Sequence, residues 1–231
     1  MKNKSSFYDN RVVNKPWGYE YTIYRNFNNL SITLLKINYK QKTSLHCHPK
    51  KKTGFIVLDG KAKIQLGLYR ANSEYYLAPS KLMIRTGLFH SIKAVTKKGV
   101  YALEFETPVN KHDLIRFKDD YGRQLKPYEG KSFSKRIDSK FIKFKKPVFG
   151  SRQSYKIGKV KIFLEVHKNF KKLINKNDRT IFAILNGKII DSKGRNVISY
   201  GDIIKTGTLR KLSAVFKIDR QLTILRVSKY N

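Results

Sequence analysis

The sequence has a single cysteine, Cys47, so no internal disulfide can brace it and a disulfide framework is excluded. It has no apolar run approaching the length of a membrane span. Its first residues, MKNKSSFYDNRVV, carry charges but no apolar core or small-residue cleavage site, so a cytoplasmic chain without a membrane span is expected. Acidic residues are scarce: 16 Asp plus Glu stand against 50 Lys plus Arg, a formal charge of +34. Such a field attracts anions, which admits phosphorylated sugars, nucleotide sugars, acidic polysaccharide, anionic lipid headgroups and nucleic acid as partners. The basic residues are spread along the whole chain beside abundant Asn and Ile, as a biased base composition would also produce. No recognisable nucleic-acid motif accompanies them, so nucleic acid is admitted by net charge but not favoured.

What is present is a series of strand-sized runs separated by turn signals. LSITLLKINY reads as a strand buried on both faces; GFIVLDG and KAKIQLGLY are joined by Asp59-Gly60, a favoured hairpin turn; EYYLAPSKLMI, HSIKAV and GVYALEFETP follow. Even spacing of such runs predicts an all-β sandwich or barrel. From Pro127 to Phe149 the composition turns strongly basic, as in a linker or crossover. Beyond it, YKIGKVKIFLEV, RTIFAILNGKII, NVISYGDIIKTG, LSAVFKI and QLTILRV again read as strands, and ILNGKI parallels VLDGKA. An internal duplication is inferred, and at 231 residues two ordinary domains fit.

The chemistry concentrates between Ser44 and Gly60, with a delayed partner at Arg85 to His90. In an extended strand, residues i and i+2 share a face, so His46 and His48 converge while Cys47 points away. With His90 after a glycine turn, three imidazoles can chelate a divalent transition metal: Fe, Mn, Ni or Zn. The same spacing is compatible with two half-exposed strand histidines and a hydrogen-bonded third. On the strand from Tyr101 to Glu106, Ala102, Glu104 and Glu106 share one face and Tyr101, Leu103 and Phe105 the other, and the pattern leaves open which looks inward. If the acidic face does, Glu104 becomes a ligand or general base; otherwise both acids sit at the rim beside Lys or Arg. Tyr19 is a candidate proton donor or a packing aromatic.

HxH at His46 and His48, Gly60 at a β-turn, and Gly87 followed by His90 resemble the two motifs of the cupin superfamily. The acid slot of the first motif is altered, near Lys52 or Thr53, and Arg85 and Ala94 stand where Pro and Asn are usual. KPWGYE at Lys15 to Glu20 and HDLIRFKDDYGR at His112 to Arg123 resemble the opening and closing segments of the cupin domain in type II mannose-6-phosphate isomerases. The resemblance implies two tandem double-stranded β-helix (cupin, jelly-roll) barrels. Residues 1–14 would be an N-terminal arm, 15–130 a metal-binding barrel, 131–150 a basic linker and 151–231 a degenerate barrel. In the second copy Asn175 to Arg179, with Arg210 or Leu212, replace the histidines, and His167 reads as structural.

The implied function is a metal-dependent isomerase or epimerase acting on a small anionic sugar, a phosphorylated sugar or nucleotide sugar, in surface-polysaccharide synthesis. His46, His48 and His90 would hold the metal and Glu104 and Tyr19 would serve catalysis. The lysine run Lys50 to Lys52, with Lys50, Lys52 and Arg85 as contacts, would hold the substrate's anion. A homodimer is expected. The alternatives are a three-histidine iron dioxygenase and a non-catalytic sugar- or polyanion-binding module.

Overall fold

The computed structural model describes residues 7–26, 29–124 and 131–229. In chain order the strands are β1 (Arg11–Lys15), β2 (Gly18–Asn26), β3 (Leu30–Ile37), β4 (Leu45–Cys47), β5 (Lys52–Asp59), β6 (Lys61–Leu66), β7 (Ser73–Leu77), β8 (Ser80–Ile84), β9 (His90–Ala94), β10 (Val100–Thr107) and β11 (Ile115–Lys118). The second half adds β12 (Ser134–Arg136), β13 (Gln153–Ile157), β14 (Val160–His167), α1 (Lys171–Ile174), β15 (Ile181–Ile190), β16 (Ile203–Lys205), α2 (Thr206–Val215) and β17 (Lys217–Lys229). No helix among the described residues is long and apolar enough to cross a membrane.

Three antiparallel sheets stack as layers. The central sheet has the order β12-β1-β2-β3-β10-β5-β8, the front sheet β11-β4-β9-β6-β7 and the back sheet β13-β14-β17-β15-β16. The central strands are apolar on both faces because both faces are covered. Ile32, Leu34, Ile56, Leu58, Leu103 and Phe105 pack with Ile162, Leu164, Ala183 and Leu225 of the back sheet. The alternate residues Leu35, Ile37, Phe55, Val57 and Ala102 pack with Ala62, Ile64 and Ile92 of the front sheet. Each buried Leu or Ile contributes about 1.5–3 kcal/mol relative to exposure, so both faces anchor the sheet. Gly60 turns β5 into β6 at φ 81°, as the Asp-Gly hairpin signal predicts.

The second half departs from the expected second barrel. Its described residues form one five-stranded sheet, and the outer face of that sheet is covered by α1 and α2 through Phe170, Leu173, Leu209, Phe182, Ile184, Leu222 and Ile224. Within the run LSAVFKI, Leu212 to Val215 belong to α2, and only Lys217 and Ile218 are strand. Strand order is nevertheless repeated: β13-β14-β17-β15-β16 follows the same path as β2-β3-β10-β5-β8. The expected linker supplies β12, which pairs with β1 at the edge of the central sheet, and Arg11 Nε donates to Ser134 Oγ at 2.7 Å. Of the expected arm, Arg11 to Asn14 lie in β1, while residues 1–6 and the expected boundary near 130 fall outside the described residues. Across the layers, Asn26 Nδ2 donates to the Leu185 carbonyl at 3.1 Å and Lys52 Nζ meets Asp202 Oδ1 at 2.6 Å.

Candidate metal centre

The front and central sheets enclose a cavity of about 70 Å³ into which His46, His48, Lys51, Glu104, Glu106 and Trp17 project. β4 and β9 pair with His46 opposite His90, and alternation along the chain brings His48 to the same side. The ring centroids of His46 and His90 lie 4.5 Å apart, those of His46 and His48 5.0 Å, and those of His48 and His90 5.4 Å. From the opposite wall, β10 turns Ala102, Glu104 and Glu106 inward and Leu103 and Phe105 toward the back sheet. This decides the face that the sequence left open.

Each imidazole is held at one nitrogen by a main-chain carbonyl. His46 Nδ1 donates to Ser44 O at 2.8 Å, His48 Nδ1 to Asp113 O at 2.5 Å and His90 Nδ1 to Leu88 O at 3.0 Å. A carbonyl only accepts, so each Nδ1 carries the proton and each Nε2 keeps its lone pair. The Nε2 atoms of His48 and His90 are buried without a hydrogen-bond partner among the described residues. Orphaned acceptors of this kind are rare in a folded interior and call for a missing partner.

One donor atom each from His46, His48, His90 and Glu104 lies within 4.8 Å of all the others. Two ligands about 2.1 Å from one ion stand at most about 4.2 Å apart, so small side-chain rotations close the set around a cation. Three nitrogens and one carboxylate oxygen suit a divalent transition metal. Holding the second imidazole nitrogen in a hydrogen bond is what orients such ligands. The four residues therefore fit a metal and could bind one.

The electrostatics of the three imidazoles point the same way. Burial, and then Lys51, pushes the His48 imidazole down to about 4; burial and then His48 push His90 down to about 3. His46 is held well below its usual range by burial and by the other two rings. All three are neutral near pH 7, the form that ligates a metal. Burial, and then the neighbouring Glu106, raises the Glu104 carboxyl to about 8. Burial alone would raise Glu106 as well, but Lys111 and Lys51 hold it well below the carboxylate range. Glu106 bonds Lys51 directly and Lys111 at 3.0 Å.

The expected lysine run divides three ways. Lys50 is exposed and Lys52 is engaged by Asp202; Lys51, with its side chain only 2% exposed, is the one that enters the cavity. Arg85 is exposed and does not line the cavity. Neither Lys50, Lys52 nor Arg85 contacts the four candidate ligands' chamber. Of the two readings open for Tyr19, the packing aromatic matches its position: Glu20 takes the cavity side of β2, and Tyr19 faces the back layer, edge-on to Phe141 at 5.8 Å. Burial, and then Tyr101, raises its phenol to about 12. Of Lys52 and Thr53, Lys52 turns to Asp202 and Thr53 is buried with its hydroxyl unpartnered among the described residues, while Glu104 arrives from the adjacent strand.

No protein-family model matches the chain, and no curated protein does. Solved structures are similar over parts of it. KdgF from Halomonas sp. matches at 12% identity and TM-score 0.37, over 42% of this chain and 84% of that one. An uncharacterized conserved protein with double-stranded beta-helix domain from Klebsiella pneumoniae matches at 15% and 0.36, over 39% and 76%. The capsular polysaccharide assembling protein CapF from Staphylococcus aureus matches at 14% and 0.42, over 47% of this chain and 34% of that one.

Proposed function

We propose that the chain is a metal-dependent cupin enzyme that moves a proton next to the carbonyl of a small anionic sugar, a phosphorylated sugar or nucleotide sugar, as surface-polysaccharide synthesis requires. His46, His48, His90 and Glu104 would hold one divalent transition metal. The observation that carries this reading is the trio of imidazoles, each pinned at Nδ1 by a main-chain carbonyl, whose Nε2 atoms converge with a carboxylate. A divalent ion bound there polarises a carbonyl or hydroxyl and lowers the pKa of what it binds.

The chain's own residues supply the rest. Trp17, Leu35, Phe55 and Ile92 make the apolar wall that excludes water, and at about 70 Å³ the chamber admits only the reacting end of a sugar. Lys51 and Lys111 place two ammonium groups around Glu106 at the chamber wall, where a substrate oxygen would meet fixed donors. The anionic end of the substrate would then lie outside, toward the exposed Lys50 and Arg85. On this reading Glu104 is the fourth ligand, standing in for the acid missing at Thr53. The back sheet would be a reduced second copy of the same unit, supported by its repeated strand order.

The test is elemental analysis of protein purified without a histidine tag, beside His46→Ala/His90→Ala, together with solvent isotope exchange over a panel of sugar phosphates and nucleotide sugars. About one transition metal per chain, lost in the variant, with exchange at the carbon next to the carbonyl, is expected. Iron with substrate-dependent oxygen uptake and no exchange would replace the isomerase reading by a dioxygenase. Absence of metal after reconstitution would overturn the centre itself.

A further inference from the structure

The repeated strand path carries a repeated sequence. Phe55-Ile56-Val57-Leu58-Asp59-Gly60, the end of β5 and its turn, corresponds to Phe182-Ala183-Ile184-Leu185-Asn186-Gly187 in β15, and both glycines sit at positive φ, 81° and 92°. Cross-strand register then aligns the two sites. Phe55 pairs with Glu104, and Phe182 pairs with Arg226. On the other side, Glu104 pairs with Thr33 and Arg226 with Phe163. Arg226 therefore stands in the back sheet where the carboxylate ligand stands in the central sheet. The charge is inverted.

The surroundings are inverted too. The outer face of the back sheet is covered by helices over β15 and β17, but beside β14 it opens into a recess of about 550 Å³ between the segment 149–152 and α1. Glu165 and His167 form its floor, and Glu165 is its only acid. That acid is already neutralised: Arg226 Nη2 meets Glu165 Oε1 at 2.6 Å, with both side chains at most 10% exposed, and the guanidinium stacks on Phe163 at 3.9 Å. Around the rim stand Arg152, Lys168, Lys171, Lys172 and Lys176, and none of these has an ion-pair partner among the described residues. Phe149 lies under Lys168 at 4.4 Å and Phe163 under Arg152 at 5.2 Å, which holds two of these cations over ring faces.

We infer that this recess binds a small ligand carrying adjacent anionic groups, a diphosphate or a phosphorylated saccharide, on the face that corresponds to the metal chamber in the other half of the chain. A chamber lined by histidines and a carboxylate takes a cation. A recess on the corresponding face of the back sheet, lined by five cations over a neutralised acid, takes an anion. The volume lies within the usual range for small-molecule sites. Five cations line this one recess, so more than one of them can act on the same ligand, which a dispersed surface charge does not do. The recess shares no lining residue with the metal chamber, so its binding is tested separately from that reading.

The experiment is calorimetric titration of the full chain with inorganic pyrophosphate at about 0.15 M salt, where dispersed surface charge is screened beyond about 8 Å. Lys168→Ala/Lys171→Ala/Lys172→Ala is compared with a charge-matched control at exposed sites elsewhere, Lys93→Ala/Lys118→Ala/Lys140→Ala. Saturable binding that weakens about tenfold or more in the recess variant and less than about twofold in the control is expected, a tenfold change being about 1.4 kcal/mol. His46→Ala/His90→Ala should leave it unchanged, which separates its failure from failure of the metal centre. The single exposed substitution Lys172→Glu repeats the test should the triple variant not fold. Equal weakening in recess and control variants, or no saturable binding to the wild type, would overturn the site. So would single-stranded oligonucleotide binding in its place that both triple variants lose equally, since it would assign the charge to nucleic acid.

Discussion

Asp113 holds His48 through its main chain and the turn after His48 through its side chain. Its carbonyl accepts from His48 Nδ1 at 2.5 Å, while its carboxylate accepts the backbone N–H of Lys50 at 3.1 Å and of Lys51 at 2.8 Å. One residue thus sets both the orientation of a candidate ligand and the position from which Lys51 enters the chamber.

Asp113→Ala should loosen that support while leaving the four candidate ligands in place. Outer-shell partners of metal-binding histidines are worth roughly 10–100-fold in metal affinity. Metal affinity measured by chelator competition should fall about tenfold, with far-UV circular dichroism unchanged. Wild-type affinity in the variant would mean that the carboxylate does not position His48.

Lys51 is an ammonium with a 2% exposed side chain bonded to Glu106, itself 4% exposed. Removing one partner of a buried ion pair leaves an uncompensated charge and costs about 3–5 kcal/mol. Lys51→Met should lower unfolding stability by less than that, because Lys111 still meets Glu106 at 3.0 Å. The losses of Lys51→Met and Glu106→Gln should not add in the double variant, because each breaks the same pair. Additive losses in urea unfolding would show that the two groups do not interact.

How much of this was legible in the sequence follows from parity and burial. His46, His48 and His90 could be found because period-2 alternation and a glycine turn are local signals. Glu104 could not be assigned a side, because its strand lies in a sheet covered on both faces and alternation loses its inside and outside there. Lys51 was hidden within a basic run that reads as solvated, although it shares parity with Thr53 and Phe55, both buried. The same parity separates Tyr19 from Glu20. In the second half the strand order follows the first, but the two ends of α2, Thr206–Gly207 and Leu212–Val215, read as strand because β-branched and apolar residues dominate its neighbourhood; Thr206 and Leu209, buried at i and i+3, mark its packed face.

The Glu165 and Arg226 pair should be visible as acid sensitivity. Burial alone would raise Glu165, but hydrogen bonds from His167 and Arg226 bring its carboxyl from 4.5 down to about 2. A depressed folded pKa contributes stability that is fully present above the unfolded value and is lost as pH falls through the folded one. Wild type should therefore exceed Glu165→Gln in urea midpoint at pH 6, with the gap closing between about pH 4.5 and pH 2. A gap constant over that window would place the effect in packing rather than charge.

Gly54 marks where the two halves of the chain are pressed together. A Cβ there would stand 2.7 Å from Ile203 Cδ1 and 2.8 Å from Met83 Sδ, closer than carbon atoms tolerate. Ile203 belongs to β16 of the back sheet and Gly54 to β5 of the central sheet, so the clash lies across the layer boundary. Overpacking of this kind costs about 1–3 kcal/mol, moderated here because the offended atoms are ends of flexible side chains. Gly54→Ala should destabilise the chain by roughly 1–2 kcal/mol, and Ile203→Val, which removes the Cδ1 methyl, should relieve part of it in the double variant. The coupling should exceed about 0.5 kcal/mol, the scatter expected of independent sites. Because the apolar core is shared by residues of both halves, unfolding should also remain a single transition in all of the variants. Strict additivity, or two separate transitions with Gly54→Ala shifting only one, would mean that the back sheet is an independent domain and that the shared core does not couple it to the sheets bearing the histidines.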